Sequence, residues 1–182
     1  FMNPLYDVFF WATIATATMF LETVVFISRR RYRRIVYVLA GISAIILFEV
    51  PRFIIPLLPQ PSIGLDPKLA LYIGGGIFAL GISIMLISFY QLKTAVQDGK
   101  RNLQTSGIYG IVRHPMYMGD VIWPLGWSLA LNALYALALT PLWLILRLSF
   151  SILEEEKLIE KYGDAYREYI RRVKKRIIPG VI

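Results

Sequence analysis

Long apolar runs alternate with short polar ones along this chain. Val8 to Ser28 is almost unbroken hydrocarbon, and the basic run Arg29-Arg30-Arg31-Tyr32-Arg33-Arg34 follows it. Ile35 to Leu58, Leu69 to Leu92, Met116 to Asn132 and Ala133 to Leu153 repeat the apolar pattern. A helix rises about 1.5 Å per residue and a bilayer core is about 30 Å thick, so these runs read as membrane spans. Pro51 and Pro56 fall near the far end of the second run, where proline bends or ends a helix. Pro59 to Pro67, rich in proline and glycine, is a turn-forming connection. The last two runs almost abut, which predicts a tight helical hairpin. The expected fold is all-α and integral to the membrane, with five transmembrane helices.

From Glu154 onwards the pattern changes. Leu158, Tyr162, Tyr166, Tyr169, Val173 and Ile177 recur every three or four residues, while Arg171, Arg172, Lys174, Lys175 and Arg176 crowd the other positions. That spacing predicts an amphipathic helix from Glu154 to Ile177, cytosolic and lying on an anionic leaflet. One domain is expected, with residues 1–103 as a three-span scaffold and 104–182 as a motif region.

Composition agrees. The chain is 57% hydrophobic with a mean hydropathy of +0.57. A net charge of +8 is compatible with nucleic acid, but the basic residues flank apolar runs, which favours a membrane. Eighteen of the 20 basic residues fall on one side of the expected topology, against Arg52 and Lys68 on the other. By the positive-inside rule the N-terminus is outside and the C-terminus cytoplasmic. The first run lacks a basic leader and a small-residue cleavage site, so a retained helix is expected; Phe1-Met2 reads as an expression remnant. Without cysteine there is no disulfide, thiolate metal site or cysteine nucleophile.

Candidate chemistry concentrates in Gly107 to Asp120, which holds the single histidine, His114, between Arg113 and Pro115. Glycines allow close backbone approach to a ligand, and the proline fixes the start of the next helix. A metal is not expected, because no cysteine or second histidine exists to share it. Arg147 lies two helical turns before Glu154, which predicts an arginine–glutamate group beside the histidine. Tyr162, Tyr166 and Tyr169 are either interfacial anchors or walls of an aromatic, anionic pocket for a cationic ligand. Glu22 sits inside the first span with a structural role or a site-lining one, and Glu49 with Arg52 reads as a structural ion pair near the outer surface. Gly74-Gly75-Gly76 and Gly81 read as close helix packing, since no strand precedes them as a nucleotide loop would need.

Gly107-x-Tyr109-x-x-x-Arg113-His114-Pro115-x-Tyr117-x-Gly119 resembles the first signature of isoprenylcysteine carboxyl methyltransferases. Glu154-Glu155-x-x-Leu158-x-x-x-Tyr162-Gly163-x-x-Tyr166-x-x-Tyr169-x-x-x-Val173, ending in Ile178-Pro179, resembles the second. The five-run chain looks like a small prokaryotic member, which implies a prokaryotic plasma membrane. The resemblance implies an S-adenosylmethionine-dependent methyltransferase, with S-adenosylhomocysteine as product and a lipophilic, prenylated acceptor. It assigns Gln104, Gly107, Tyr109, His114, Pro115, Tyr117 and Gly119 to the cofactor. Glu154 and Glu155 would hold the cofactor's cationic end, and Tyr166 and Tyr169 would close the pocket. A carboxylate acceptor is already ionised, so it needs orientation rather than a base; Arg113 and Arg147 are the candidates. Phospholipid N-methyltransferases share a similar small bundle. Membrane sterol reductases share Gly119-Asp120, Lys161-Tyr162-Gly163 and Ile178-Pro179-Gly180 and use NADPH.

Overall fold

The computed structural model describes residues 5, 7–27, 34–97 and 100–178. The basic run at 29–33 and the Pro179-Gly180 ending lie outside the described residues. Among the described residues six α-helices follow in order: α1 (Val8–Ile27), α2 (Arg34–Ile54), α3 (Pro67–Thr94), α4 (Pro115–Ala130), α5 (Leu134–Tyr162) and α6 (Asp164–Arg172). Two-residue strands β1 (Val96–Gln97) and β2 (Lys100–Arg101) pair after α3. The stretches Val8–Phe26, Pro67–Thr94 and Leu134–Tyr162 are long and apolar enough to cross a membrane. The protein is therefore an integral membrane protein. At 16 residues, α4 is shorter than these, about 24 Å at the helical rise.

Several helix ends have a local cause. The Asp66 carboxylate accepts from the amides of Lys68 and Leu69, and Pro67 supplies the first helical position of α3. α2 runs through Pro51 and tightens into a 3₁₀ turn, Ile55–Leu57, at Pro56. Asn132, with φ 57°, reverses the chain between α4 and α5. Its side chain also donates to the Leu65 carbonyl (2.7 Å), tying that reversal to the α2–α3 connection.

Helix packing orients α4. A Cβ added at Gly81 would meet the Trp123 backbone, and one at Gly119 would lie 2.6 Å from the Gly81 carbonyl oxygen. Gly74 and Gly126 meet in the same way, so α3 and α4 touch backbone to backbone. Gly74 and Gly81 thus play the packing role expected of them, while Gly75 and Gly76 face open space. α4 makes its close approach to α3, although only three residues join it to α5. α1 lies beside α5 and runs the same way, with Phe9 on Tyr135 and Phe26 on Phe150. Ala12, Ala15, Met19, Phe48, Ala136 and Trp143 fill the core.

The tail differs from the single helix expected. Residues 154–162 are the last turns of α5, which ends at Gly163, with φ 57°. That left-handed conformation suits glycine and stops the helix. α6 follows, and beyond Arg172 the chain runs on as a non-helical strap. The apolar face does not turn outward to lipid: Tyr166, Tyr169 and Val173 are buried against Leu103, Leu158 and Tyr162.

Candidate active site

A cavity of about 470 Å³ opens where α5 meets α6. Glu154, Lys157, Leu158, Lys161 and Tyr162 line it from one face of α5, since residues three and four apart on a helix are neighbours. Tyr166 and Tyr169 line it from α6, and Leu103 and Gln104 from the loop after β2. Tyr109, Arg113, His114 and Tyr117 complete the wall, with Phe26 reaching in from α1.

Glu155 is the anchor behind that wall. Its carboxylate accepts from Arg113 Nε at 2.7 Å and from Arg176 Nη2 at 2.8 Å, and lies 3.1 Å from His114 Nε2. Arg113 Nη2 also reaches Glu155 at 3.4 Å, and Nη1 turns to the strap, donating to the Val173 carbonyl at 2.7 Å and to that of Lys174 at 2.8 Å. The Arg113 and His114 amides donate to the Lys175 and Arg176 carbonyls (2.9 and 2.8 Å). The arginine–histidine pair therefore owes its position to backbone about sixty residues away.

His114 lies between two acids, with Nδ1 3.5 Å from Glu154 and Nε2 on Glu155. Burial disfavours its charge, but hydrogen bonds to Glu154 and Glu155 outweigh that and raise its pKa. With a carboxylate at each nitrogen, the doubly protonated ring suits the site. Tyr117 stacks parallel to the imidazole at 5.3 Å and donates to Glu154 at 2.7 Å. Tyr169 donates to the Tyr109 carbonyl at 2.7 Å, fastening α6 to the Gly107–Gly110 turn. Burial pushes both Tyr166 and Tyr169 upward in pKa, so they stay neutral phenols.

Nine of the candidate residues read from the sequence line the cavity: Gln104, Tyr109, Arg113, His114, Tyr117, Glu154, Tyr162, Tyr166 and Tyr169. Glu155 stands behind His114. Gly107, with φ 61°, lies against the Gln91 side chain, Pro115 begins α4, and Gly119 serves the α3 contact. Arg147 is not beside Glu154. Its Nε pairs with Asp120 at 2.5 Å, and its other nitrogens face Glu49 at 3.5 Å and Glu22 at 3.8 Å. Two turns separate Arg147 from Glu154 by about 10 Å along the axis. At the level of Arg147, α4 offers Asp120, which is nearer. Arg52 joins from α2, 2.8 Å from Asp120 and 3.1 Å from Glu49. It is fully buried, so this is an interior network rather than the pair near the surface that the sequence suggested. Tyr117 divides the two assemblies, with Arg147 5.3 Å from its ring.

Lys157 and Lys161 line the cavity and were not singled out. Their three- and seven-residue distance from Glu154 was the available signal, masked by the basic character of the whole tail. Lys157 reaches the Phe26 carbonyl and lies 3.7 Å from that ring.

A bundle with membrane-length helices and a cavity lined by charged and aromatic side chains where α5 leaves its apolar stretch defines an integral membrane protein with an enzyme-like site. Residues 69–165 match the phospholipid methyltransferase family, and the chain belongs to it. It is 40% identical over 95 residues to a Delta(14)-sterol reductase of Mus musculus, covering 50% of this chain and 22% of the relative. It is 36% identical over 87 residues to a protein-S-isoprenylcysteine O-methyltransferase of Schizosaccharomyces pombe, covering 47% and 37%. A 7-dehydrocholesterol reductase of Xenopus laevis is 33% identical over 93 residues, covering 46% and 19%. The chain thus spans well under half the length of these relatives. No solved structure matches it.

Proposed function

We propose that this protein is an S-adenosylmethionine-dependent methyltransferase acting on the carboxylate of a lipophilic, prenylcysteine-like acceptor supplied from the bilayer. The observation that carries the reading is the cavity itself, whose lining comes largely from the two motif segments. The Glu154 carboxylate and the tyrosine rings suit the cofactor's sulfonium and ammonium, on a wall that also carries the cations Arg113, Lys157 and Lys161. Glu154, Tyr109, Tyr117, Tyr166 and Tyr169 would hold the cationic portion, and Gln104 the adenosine. When bound, S-adenosylmethionine supplies an electrophilic methyl group.

The protein's own residues then orient and exclude water. Glu155 fixes Arg113 and His114, and the Tyr169–Tyr109 bond closes α6 over the cavity. A carboxylate acceptor is ionised at neutral pH, so no base is required. Since Arg113 has its Nε and Nη1 donors engaged and Arg147 belongs to the Asp120 network, Lys161 on the cavity wall is the cation that orients the acceptor. In this reading five helices cross the membrane and place the cavity at the cytoplasmic face, in keeping with the basic residues flanking the spans.

A second reading, an NADPH-dependent sterol reductase, draws on the 40% identity to such an enzyme. Calorimetry separates the two. S-adenosylhomocysteine should bind the detergent-solubilised protein, about tenfold more weakly after Glu154→Gln, the loss of roughly 1.4 kcal/mol. NADPH binding in its place would overturn the proposal. With a farnesylcysteine analogue and phosphatidylethanolamine offered together, methyl ester should form on the former. N-methylation of the latter would reassign the acceptor to amines.

A further inference from the structure

A second cavity lies on the other side of α4. It occupies about 490 Å³ between α4 and α5 and is walled by Val121, Leu125, Leu137, Leu144, Ile177 and Ile178 among others. Among its lining side chains only Thr140 is polar, and that hydroxyl already donates to the Ala136 carbonyl at 3.5 Å. The groove therefore offers nothing to a polar ligand and suits hydrocarbon, at a volume within the roughly 300–1,000 Å³ of small-ligand sites.

The end of the groove nearest α6 is charged. Ile177 and Ile178 close it, and the same strap carries exposed Lys174 and Lys175 two to four residues earlier. Extended chain advances about 3.3–3.6 Å per residue, so these ammonium groups stand within a headgroup's reach of the groove mouth. Exposed Arg172 adds to the field, whereas Arg171 is paired with Glu168. An apolar slot with a cationic rim at the membrane surface matches a lipid with a hydrocarbon tail and a negative headgroup.

The strap has a second attachment. From Val173 to Arg176, through its lysines and up to its isoleucines, it presents the carbonyls that hold Arg113 and His114. We propose that the α4–α5 groove binds an acyl chain of an anionic phospholipid whose headgroup meets Lys174 and Lys175, and that this lipid holds the strap against Arg113 and His114. The site is separate from the first cavity and does not depend on the methyltransferase reading.

Two measurements test it, neither needing activity. The protein is first delipidated, then offered equal amounts of phosphatidylcholine and phosphatidylglycerol, and retained lipid is weighed by native mass spectrometry. Phosphatidylglycerol should be retained about tenfold over phosphatidylcholine. Leu144→Trp, which fills the groove, should abolish retention. The exposed double variant Lys174→Gln/Lys175→Gln leaves the groove intact and should erase only the preference, so the test survives if the tryptophan variant fails to fold. Hydrogen exchange at the Arg113 and His114 amides should then be about tenfold slower in nanodiscs containing phosphatidylglycerol than in phosphatidylcholine alone. Equal retention of both lipids, a preference that survives the lysine substitutions, or exchange indifferent to phosphatidylglycerol each overturns the proposal.

Discussion

Asp120 and Glu155 each hold two arginines, on either side of Tyr117. Asp120 takes Arg52 from α2 and Arg147 from α5, all three deep in the bundle and anchored on packed helices. Glu155 takes Arg113 from a loop and Arg176 from the strap, with His114 as a third partner. The first assembly ties helices to one another. The second is completed by segments that cross no membrane, and it forms only when the strap docks. Similar side chains thus lock a scaffold in one place and shape a ligand cavity in the other.

Three experiments press on that contrast. Asp120→Ala should have the largest effect, because it strands two buried guanidinium groups. Breaking a buried pair from one side costs about 3–5 kcal/mol. The melting temperature in detergent should fall sharply; an unchanged value would mean that the network is not structural. Tyr117→Phe keeps the ring between the assemblies and deletes the bond to Glu154. A hydrogen bond to a charged group contributes about 1.5–3 kcal/mol. S-adenosylhomocysteine affinity should fall, with a smaller drop in melting temperature than Asp120→Ala produces. Equal damage to both would mean that the two assemblies are one unit.

The smallest effect is on pH dependence. The folded pKa of His114 is raised above its unfolded value of about 6.5. Between those two values the folded state binds more protons, so this contribution to stability is full below about pH 6.5. It is lost as pH rises through the folded value. His114→Gln should flatten that part of the stability–pH curve. A wild-type curve that rises across the same window would contradict the placement of His114 between two acids.

Much of the cavity was legible because its residues share local spacing. Tyr109, Arg113, His114 and Tyr117 sit within one short segment, and Glu154, Tyr166 and Tyr169 follow a helical repeat. What could not be read was pairing across the chain. Arg147 had an obvious acid two turns away, yet Asp120 claimed it from a neighbouring helix. Glu49 and Arg52 looked like a local pair until α4 supplied a third member. The break at Gly163 had a signal, a glycine after a tyrosine at a helix end, but the apolar repeat running through it suggested continuity. Backbone carbonyls of the strap carry no sequence signature, so their grip on Arg113 had none to read.

That grip also sets an order of assembly during synthesis. Arg113 emerges from the ribosome before the carbonyl that orients it, with a separation of sixty residues. At about 5–20 residues per second, the nascent loop waits roughly 3–12 seconds for its partner. Over that interval the spans can insert while Arg113 and His114 still lack the strap that holds them. The membrane scaffold is thereby in place before the site can take a ligand.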